Sequence, residues 1–208
     1  MDGTLLDTLD DLTDSVNNAL GTFGFPLREK DEIRLFLGNG IKNLVERAVP
    51  AGTEEETVRQ VLDCFRTHYF AHSADKTKAY DGVLPLLEEL KRKGIKTAVV
   101  SNKADKAVKE LAKTYFGDLL DVAVRENEEA GVRKKPAPDE VFAAMRSLGV
   151  RREECLFVGD SEVDAETAAA AGIKGIACLW GFRDRGFLTE KGVSRFIDTP
   201  AELYAYLK

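Results

Sequence analysis

Leu156-Phe157-Val158-Gly159-Asp160-Ser161 is a short apolar run that ends in a carboxylate and a hydroxyl. Thr97-Ala98-Val99-Val100-Ser101-Asn102 has the same design, with polar residues directly after the apolar ones. Apolar strands of this kind alternate with helical patterns from residue 84 to residue 179. The alternation predicts an α/β protein with a Rossmann-like parallel sheet core. We expect the polar residues at the strand ends to share one edge of that sheet, where ligands bind.

A helical pattern precedes this region. Apolar residues recur three or four positions apart, first at Leu12, Val16 and Leu20, and again from Ile41 onward. We therefore predict a small helical cap domain attached to the sheet. The predicted domains are a cap at residues 9–79 and an α/β core made of residues 1–8 and 80–208.

Composition excludes several classes of function. The 208 residues carry a net charge of −6 and a pI near 5.2, so no positive excess is present to neutralise nucleic-acid phosphates. We see no signal peptide, membrane-length apolar run or lipidation motif, and we expect a cytoplasmic protein with no membrane partner. The three cysteines are not spaced like metal ligands. We expect free thiols at Cys64, Cys155 and Cys178.

Two further motifs point to phosphate chemistry. Met1-Asp2-Gly3-Thr4 has the form of the second half of an Asp-x-Asp-Gly-Thr phosphotransfer loop, and Lys135-Pro136 follows a charged stretch. Alone, each motif also fits a turn, a loop or a helix cap. Their order, together with the placement of Ser101 and Asp160 at strand ends, favours one shared site.

The residue types suit a phosphate monoester, a dianion that repels a carboxylate nucleophile unless cations offset the charge. We expect Asp160 to bind Mg²⁺, with Asp164 as a second ligand or as the residue that orients the first. Lys135 is expected to pair with the phosphate. The Ser101 hydroxyl and the Asn102 backbone are expected to donate hydrogen bonds to phosphate oxygens.

The ordered motifs resemble those of haloacid dehalogenase superfamily hydrolases. Within that superfamily, the chain resembles phosphoglycolate phosphatases over nearly its whole length. The subgroup resemblance rests on Leu37-Gly38-Asn39-Gly40, Leu44-Val45-Glu46-Arg47-Ala48, Tyr80-Asp81-Gly82-Val83, Val99-Val100-Ser101-Asn102-Lys103 and Trp180-Gly181-Phe182-Arg183.

The resemblance implies Mg²⁺-dependent hydrolysis of a small phosphorylated metabolite such as 2-phosphoglycolate, with the cap closing over the site. Asn39, Lys42 and Arg47 are candidate cap contacts for a substrate carboxylate, which Arg binds bidentately. A solvated helix face is the alternative interpretation of these three residues.

The resemblance places Asp2 as the group that protonates the leaving alcohol and then activates water, while its carbonyl contacts Mg²⁺. The nucleophilic Asp of the motif would stand immediately before Met1, preceded by an apolar strand in the middle of the sheet. Neither belongs to the chain as written. A start position assigned too late is the simplest explanation, and a shortened chain or a noncatalytic homologue are the alternatives.

From this departure we expect the chain as written to be inactive, and either marginally stable or rearranged into a homo-oligomer that covers the gap. Two other functional classes stay open. One is a noncatalytic pseudoenzyme that binds phosphate or a metal. The other is a mutase of phosphorylated sugars, which the resemblance of the cap disfavours.

Overall fold

The computed structural model describes residues 1–38, 40–103, 105–125 and 133–207. The chain divides into two compact units. The helical unit comprises residues 7–78, and the α/β unit comprises residues 1–6 and 79–208. Within the described ranges, no helix is both long enough and apolar enough to span a membrane.

In the described part of the helical unit there are four helices, and their buried faces follow the apolar spacing of the sequence. Val16 of the first helix and Phe65 of the last are fully buried, and these two helices pack against each other. Two short strands lie at the unit boundaries and pair with each other. The elements are β1 (Leu6–Asp7), α1 (Leu9–Thr22), α2 (Lys30–Phe36), α3 (Gly40–Ala48), α4 (Glu55–His72) and β2 (Lys78–Ala79).

One buried carboxylate ties the end of the helical unit to α1. The Asp11 side chain accepts hydrogen bonds from the backbone N–H groups of Lys76 (2.9 Å) and Thr77 (2.8 Å) and from the Thr77 hydroxyl (2.7 Å). Asp11 is 1% exposed, so water does not compete for these bonds. The segment that leads into β2 is therefore fixed by a charged acceptor.

Asp11→Ala is expected to lower the free energy of unfolding by about 3 kcal/mol, since hydrogen bonds to a charged group contribute about 1.5–3 kcal/mol each and are not additive. Asp14→Ala is the matched control, because Asp14 pairs with the Lys76 ammonium at the exposed surface. It should cost less than about 1 kcal/mol. Urea denaturation of both variants measures the difference, and equal losses would show that the buried carboxylate has no special role.

The α/β unit alternates helices and strands as the sequence predicts. Its helices are α5 (Val83–Arg92), α6 (Asp105–Phe116), α7 (Asp139–Leu148), α8 (Glu162–Ala171) and α9 (Arg185–Glu190). Its strands are β3 (Ala98–Ser101), β4 (Val122–Arg125), β5 (Leu156–Gly159), β6 (Lys174–Cys178) and β7 (Phe196–Ile197). Short 3₁₀ turns occupy Gly117–Leu119, Arg152–Glu154 and Pro200–Tyr206.

All strand pairs among β3 to β7 are parallel. β3 pairs with β4, and β5, β6 and β7 follow one another in a second sheet. Among the described residues, β3 and β5 are in separate sheets, and no ladder joins them. α6 and α7 pack against β4, and α8 packs against β5 and β6.

The first residues of the chain form a tight turn within this unit. The Met1 carbonyl accepts hydrogen bonds from the N–H groups of Thr4, Leu5 and Leu6. The Met1 side chain lies in the apolar core beside residues of α5, β3 and β6, and the Trp180 indole donates to the Thr4 carbonyl at 2.9 Å. These contacts hold Asp2 and Thr4 near the end of β6.

Candidate active site

Asp164 sits where β5 turns into α8. Ser161 caps this helix in a capping box, so the Asp164 carboxylate folds back on the start of its own helix. Its Oδ2 accepts from the Ser161 hydroxyl (2.7 Å), the Ser161 N–H (3.1 Å) and the Asp160 N–H (3.2 Å). Its Oδ1 accepts from the Lys135 ammonium at 2.7 Å. The carboxylate is thus fixed through both oxygens.

Asp160 follows the last residue of β5 and is 3% exposed. Its Oδ1 accepts from the Thr4 hydroxyl at 2.8 Å, and its Oδ2 accepts from the Phe182 N–H at 3.0 Å. Burial and the nearby charge of Asp164 raise the pKa of Asp160 to about 6. The negative charges of these two buried carboxylates are therefore only partly neutralised by nearby cations.

Three glycines line these two carboxylates. A Cβ built at Gly3 or Gly181 would collide with the Asp160 side chain, and a Cβ at Gly159 would collide with the Asp164 side chain. Gly3 also has a φ of 73°, a conformation that side chains disfavour. No side chain therefore projects from these three positions, and the main chain lies close to the two carboxylates.

Lys135 is held at the site from two directions. Its side chain is 11% exposed and bonds to Asp164. Burial opposes its charge, but the charge and hydrogen bond of Asp164 outweigh burial and raise the pKa of Lys135. The Asn102 side chain clamps the Lys135 peptide, accepting from its N–H at 2.8 Å and donating to its carbonyl at 3.0 Å. Asn102 therefore positions Lys135 through its side-chain amide, a contact the sequence pattern did not predict.

Asp2 and Ser101 meet through a lysine that sequence reasoning missed. The Lys103 ammonium lies 2.9 Å from Asp2 Oδ1, and the Lys103 N–H donates to the Ser101 hydroxyl at 3.3 Å. The sequence does not single out Lys103, because a lysine after a strand is ordinarily solvent-exposed.

The structure brings most predicted site residues together in the α/β unit. A continuous set of hydrogen bonds connects one group of them, namely Asn102, Lys135, Asp164 and Asp160. Asp2 and Ser101 are joined through Lys103. Lys42 and Arg47 lie at the exposed surface of α3 in the helical unit, where they contact Glu46 and the Phe36 carbonyl. Asn39 lies outside the described residues.

The acids fit a hard divalent cation such as Mg²⁺. Oxygen is the ligand atom that Mg²⁺ prefers, and it commonly takes only one or two carboxylates and keeps several waters. The raised pKa of Asp160 marks a place where a further positive charge would stabilise the ionised pair. Within the described ranges, no three His, Cys, Asp or Glu side chains are grouped to hold a metal. Asp160 and Asp164 are accordingly the candidate protein ligands.

The pKa of Asp160 predicts a pH-dependent stability. An unfolded Asp has a pKa near 3.9, so between about pH 4 and pH 6 the folded protein binds more protons than the unfolded one. Stability contributed by Asp160 is present below pH 4 and is lost as the pH rises through 6. In metal-free buffer, the free energy of unfolding of the native chain should fall by about 2 kcal/mol more than that of Asp160→Asn between pH 4.5 and pH 7. Urea melts at both pH values measure this, and parallel pH profiles would contradict it.

Comparisons with known proteins agree with this arrangement. A model of the family described as haloacid dehalogenase-like hydrolase matches residues 1–178. Phosphoglycolate phosphatase 1 of Pseudomonas aeruginosa is 33% identical to this chain, and the alignment covers 98% of this chain and 76% of the relative. Phosphoglycolate phosphatase of Aquifex aeolicus is 32% identical over 88% of this chain and 83% of the relative.

A crystal structure from Lactobacillus delbrueckii subsp. bulgaricus, named for an expected phosphoglycolate phosphatase activity, superposes with a TM-score of 0.94 at 34% identity. It covers all of this chain, which in turn spans 95% of it. The predicted Rossmann-like α/β class is confirmed, and so is the resemblance drawn from the ordered motifs. The chain belongs to the haloacid dehalogenase-like hydrolase family and is similar to its phosphoglycolate phosphatases.

Proposed function

We propose that the protein is a Mg²⁺-dependent phosphomonoesterase that acts on a small phosphorylated metabolite, 2-phosphoglycolate or a close analogue, in the cytoplasm. One observation carries the proposal. Three distant parts of the sequence bring Asp2, Lys135, Asp160 and Asp164 into one unit. Asp160 and Asp164 are buried, and the Lys135 side chain beside them is 11% exposed. The named activity of the similar phosphatases supports the substrate class. The free state of all three cysteines suits a reducing compartment.

The proposed reaction uses a carboxylate joined to the chain before Met1. The Met1 α-amino group is buried, and burial together with the Lys135 charge lowers its pKa, while the charges of Asp160 and Asp164 also act on it. A residue bonded to this nitrogen would therefore lie among the charged groups of the site. We propose that an Asp at this position is the nucleophile, and that the polypeptide of residues 1–208 alone does not hydrolyse phosphate esters.

In the first step, a carboxylate oxygen of that Asp attacks phosphorus and the bond from phosphorus to the substrate oxygen breaks. Asp2 donates a proton to the departing oxygen, so that the product leaves as an alcohol. Asp2 then takes a proton from water, whose oxygen attacks phosphorus and releases inorganic phosphate together with the free carboxylate. The aspartyl-phosphate thereby splits one difficult hydrolysis into two steps.

The surrounding residues bind and orient the phosphate. The Lys135 ammonium offsets the negative charge on the phosphoryl oxygens, and the Ser101 hydroxyl and the Asn102 N–H are proposed donors to them. Asp160, Asp164 and the Asp2 carbonyl would hold Mg²⁺, which would supply further neutralisation of phosphoryl charge. Lys42, Arg47 and Asn39 stay candidate contacts for the substrate carboxylate.

Phosphate release from 2-phosphoglycolate and a panel of small phosphomonoesters, with Mg²⁺ and with a chelator, tests the proposal. The proteins to compare are residues 1–208 and the same chain preceded by an apolar strand that ends in Asp. Mg²⁺-dependent release by the extended chain would support the function. A folded extended chain that releases phosphate from none of these esters would contradict it.

A further inference from the structure

We infer that Lys103 is a positioning residue that holds the Asp2 carboxylate in the orientation needed for proton transfer. This inference rests on the proposed function, since it assigns a partner to the acid and base of that reaction. The sequence motifs predict phosphate contacts for Ser101 and Asn102 but no role for Lys103.

The burial of Lys103 is the first observation. Its side chain is 7% exposed although it follows a strand at the edge of the sheet, where a lysine could reach solvent. Removing an ammonium group from water is costly unless a partner of opposite charge replaces the lost hydration. Asp2 Oδ1, 2.9 Å from the ammonium, is such a partner. The burial is explained if the Lys103–Asp2 pair is part of the site.

Among the described residues, two lysine–carboxylate pairs with different partners lie at the site. Lys135 bonds to Asp164, whose side chain is 9% exposed, whereas Lys103 bonds to Asp2, whose side chain is 23% exposed. Asp2 is thus the more accessible acid, as a group that meets both a leaving alcohol and a water must be. Each lysine therefore bonds to a different acid of the site.

The backbone fixes Lys103 on the side of the site where the phosphate is proposed to bind. The Lys103 N–H donates to the Ser101 hydroxyl at 3.3 Å, and Asn102 between them clamps the Lys135 peptide. Asn102 and Lys103 thus contact different parts of the site, and the Ser101 hydroxyl is bonded to the Lys103 backbone. A general acid must lie within hydrogen-bond reach of the atom it serves, and an aspartate that rotates freely about its side-chain bonds spends less time there. The ammonium of Lys103 restricts that rotation.

Lys103→Met tests the inference, because methionine keeps an unbranched apolar stem and removes the charge and the donor. In the extended chain carrying the upstream Asp, kcat for 2-phosphoglycolate is expected to fall about 10–100-fold, with KM within about threefold of the parent. Lys113→Met, at an exposed position of α6, is the matched control and should leave both constants unchanged. An unchanged kcat would overturn the inference. So would a KM increase of tenfold or more at constant kcat, which would make Lys103 a substrate-binding residue.

A second measurement does not depend on activity. In a crystal structure of residues 1–208 with Lys103→Met, the Asp2 carboxylate is expected to be displaced by about 1 Å or more. In the same chain with Lys113→Met, it is expected to keep its position. An Asp2 side chain that keeps its position in both variants would overturn the inference, even if kcat fell. If the extended parent chain releases no phosphate, the proposed function fails, and the position of Asp2 still decides whether Lys103 holds it.

Discussion

Phosphate release from 2-phosphoglycolate is expected to be at least about 10⁴-fold faster when residues 1–208 follow an apolar strand ending in Asp than when they follow the same strand ending in Asn. The two proteins differ only in the residue bonded to the buried Met1 nitrogen, which carries a carboxylate in one and an amide in the other. An amide is a far weaker nucleophile toward phosphorus than a carboxylate, so only the Asp chain can form the acyl phosphate. Steady-state assays at saturating Mg²⁺ measure the ratio.

The Asn chain is a strict control because both extensions provide the same strand. Equal rates in the two chains would show that the upstream carboxylate is not the nucleophile. A lack of activity in both chains, with phosphate binding retained, would favour the noncatalytic pseudoenzyme. Conversion of a sugar phosphate to its isomer without phosphate release would favour a mutase.

The same extension is expected to raise the melting temperature of residues 1–208 by about 10–20 °C. Among the described residues, β3 pairs with β4 alone and β5 with β6 alone, so each of the two strands has one side without a strand partner. A strand placed between them would join the two parallel sheets. A strand of about five residues buries several apolar side chains, each contributing roughly 1.5–3 kcal/mol. A gain of about 5 kcal/mol corresponds to this shift for a chain of this size.

An extension of equal length made of Gly and Ser is the matched control for stability, because it adds chain without apolar burial. It should change the melting temperature by no more than about 2 °C. Equal melting temperatures for the apolar and polar extensions would refute the expectation that residues 1–208 alone are marginally stable. Sedimentation of the unextended chain would show whether it associates instead.

The strands and most helices could be predicted because their apolar spacing is a local property. The apolar run that begins at Thr97 forms a strand only over Ala98–Ser101, because the Thr97 N–H donates to the Asp121 side chain instead of to a neighbouring strand. Helix α8 starts at Glu162, since Ser161 and Asp164 form its capping box. The Ser-x-x-Asp pattern of this box is visible in the sequence and indicates where the helix starts.

The site was predictable only in part. Ser101 and Asp160 stand out because each polar residue follows an apolar run. Lys103 does not, since its burial depends on Asp2, 101 positions away in the sequence. The Phe182 N–H that donates to Asp160 has no sequence signature at all, because every residue except proline carries the same donor.

The backbone wall formed by Gly3, Gly159 and Gly181 constrains how this site can evolve. Any side chain at these positions would displace one of the two acids, so none of the three offers a gradual route to a new substrate. New specificity must instead arise at other positions. A mutant library that keeps these three glycines should therefore retain a much larger fraction of active members than one that varies them.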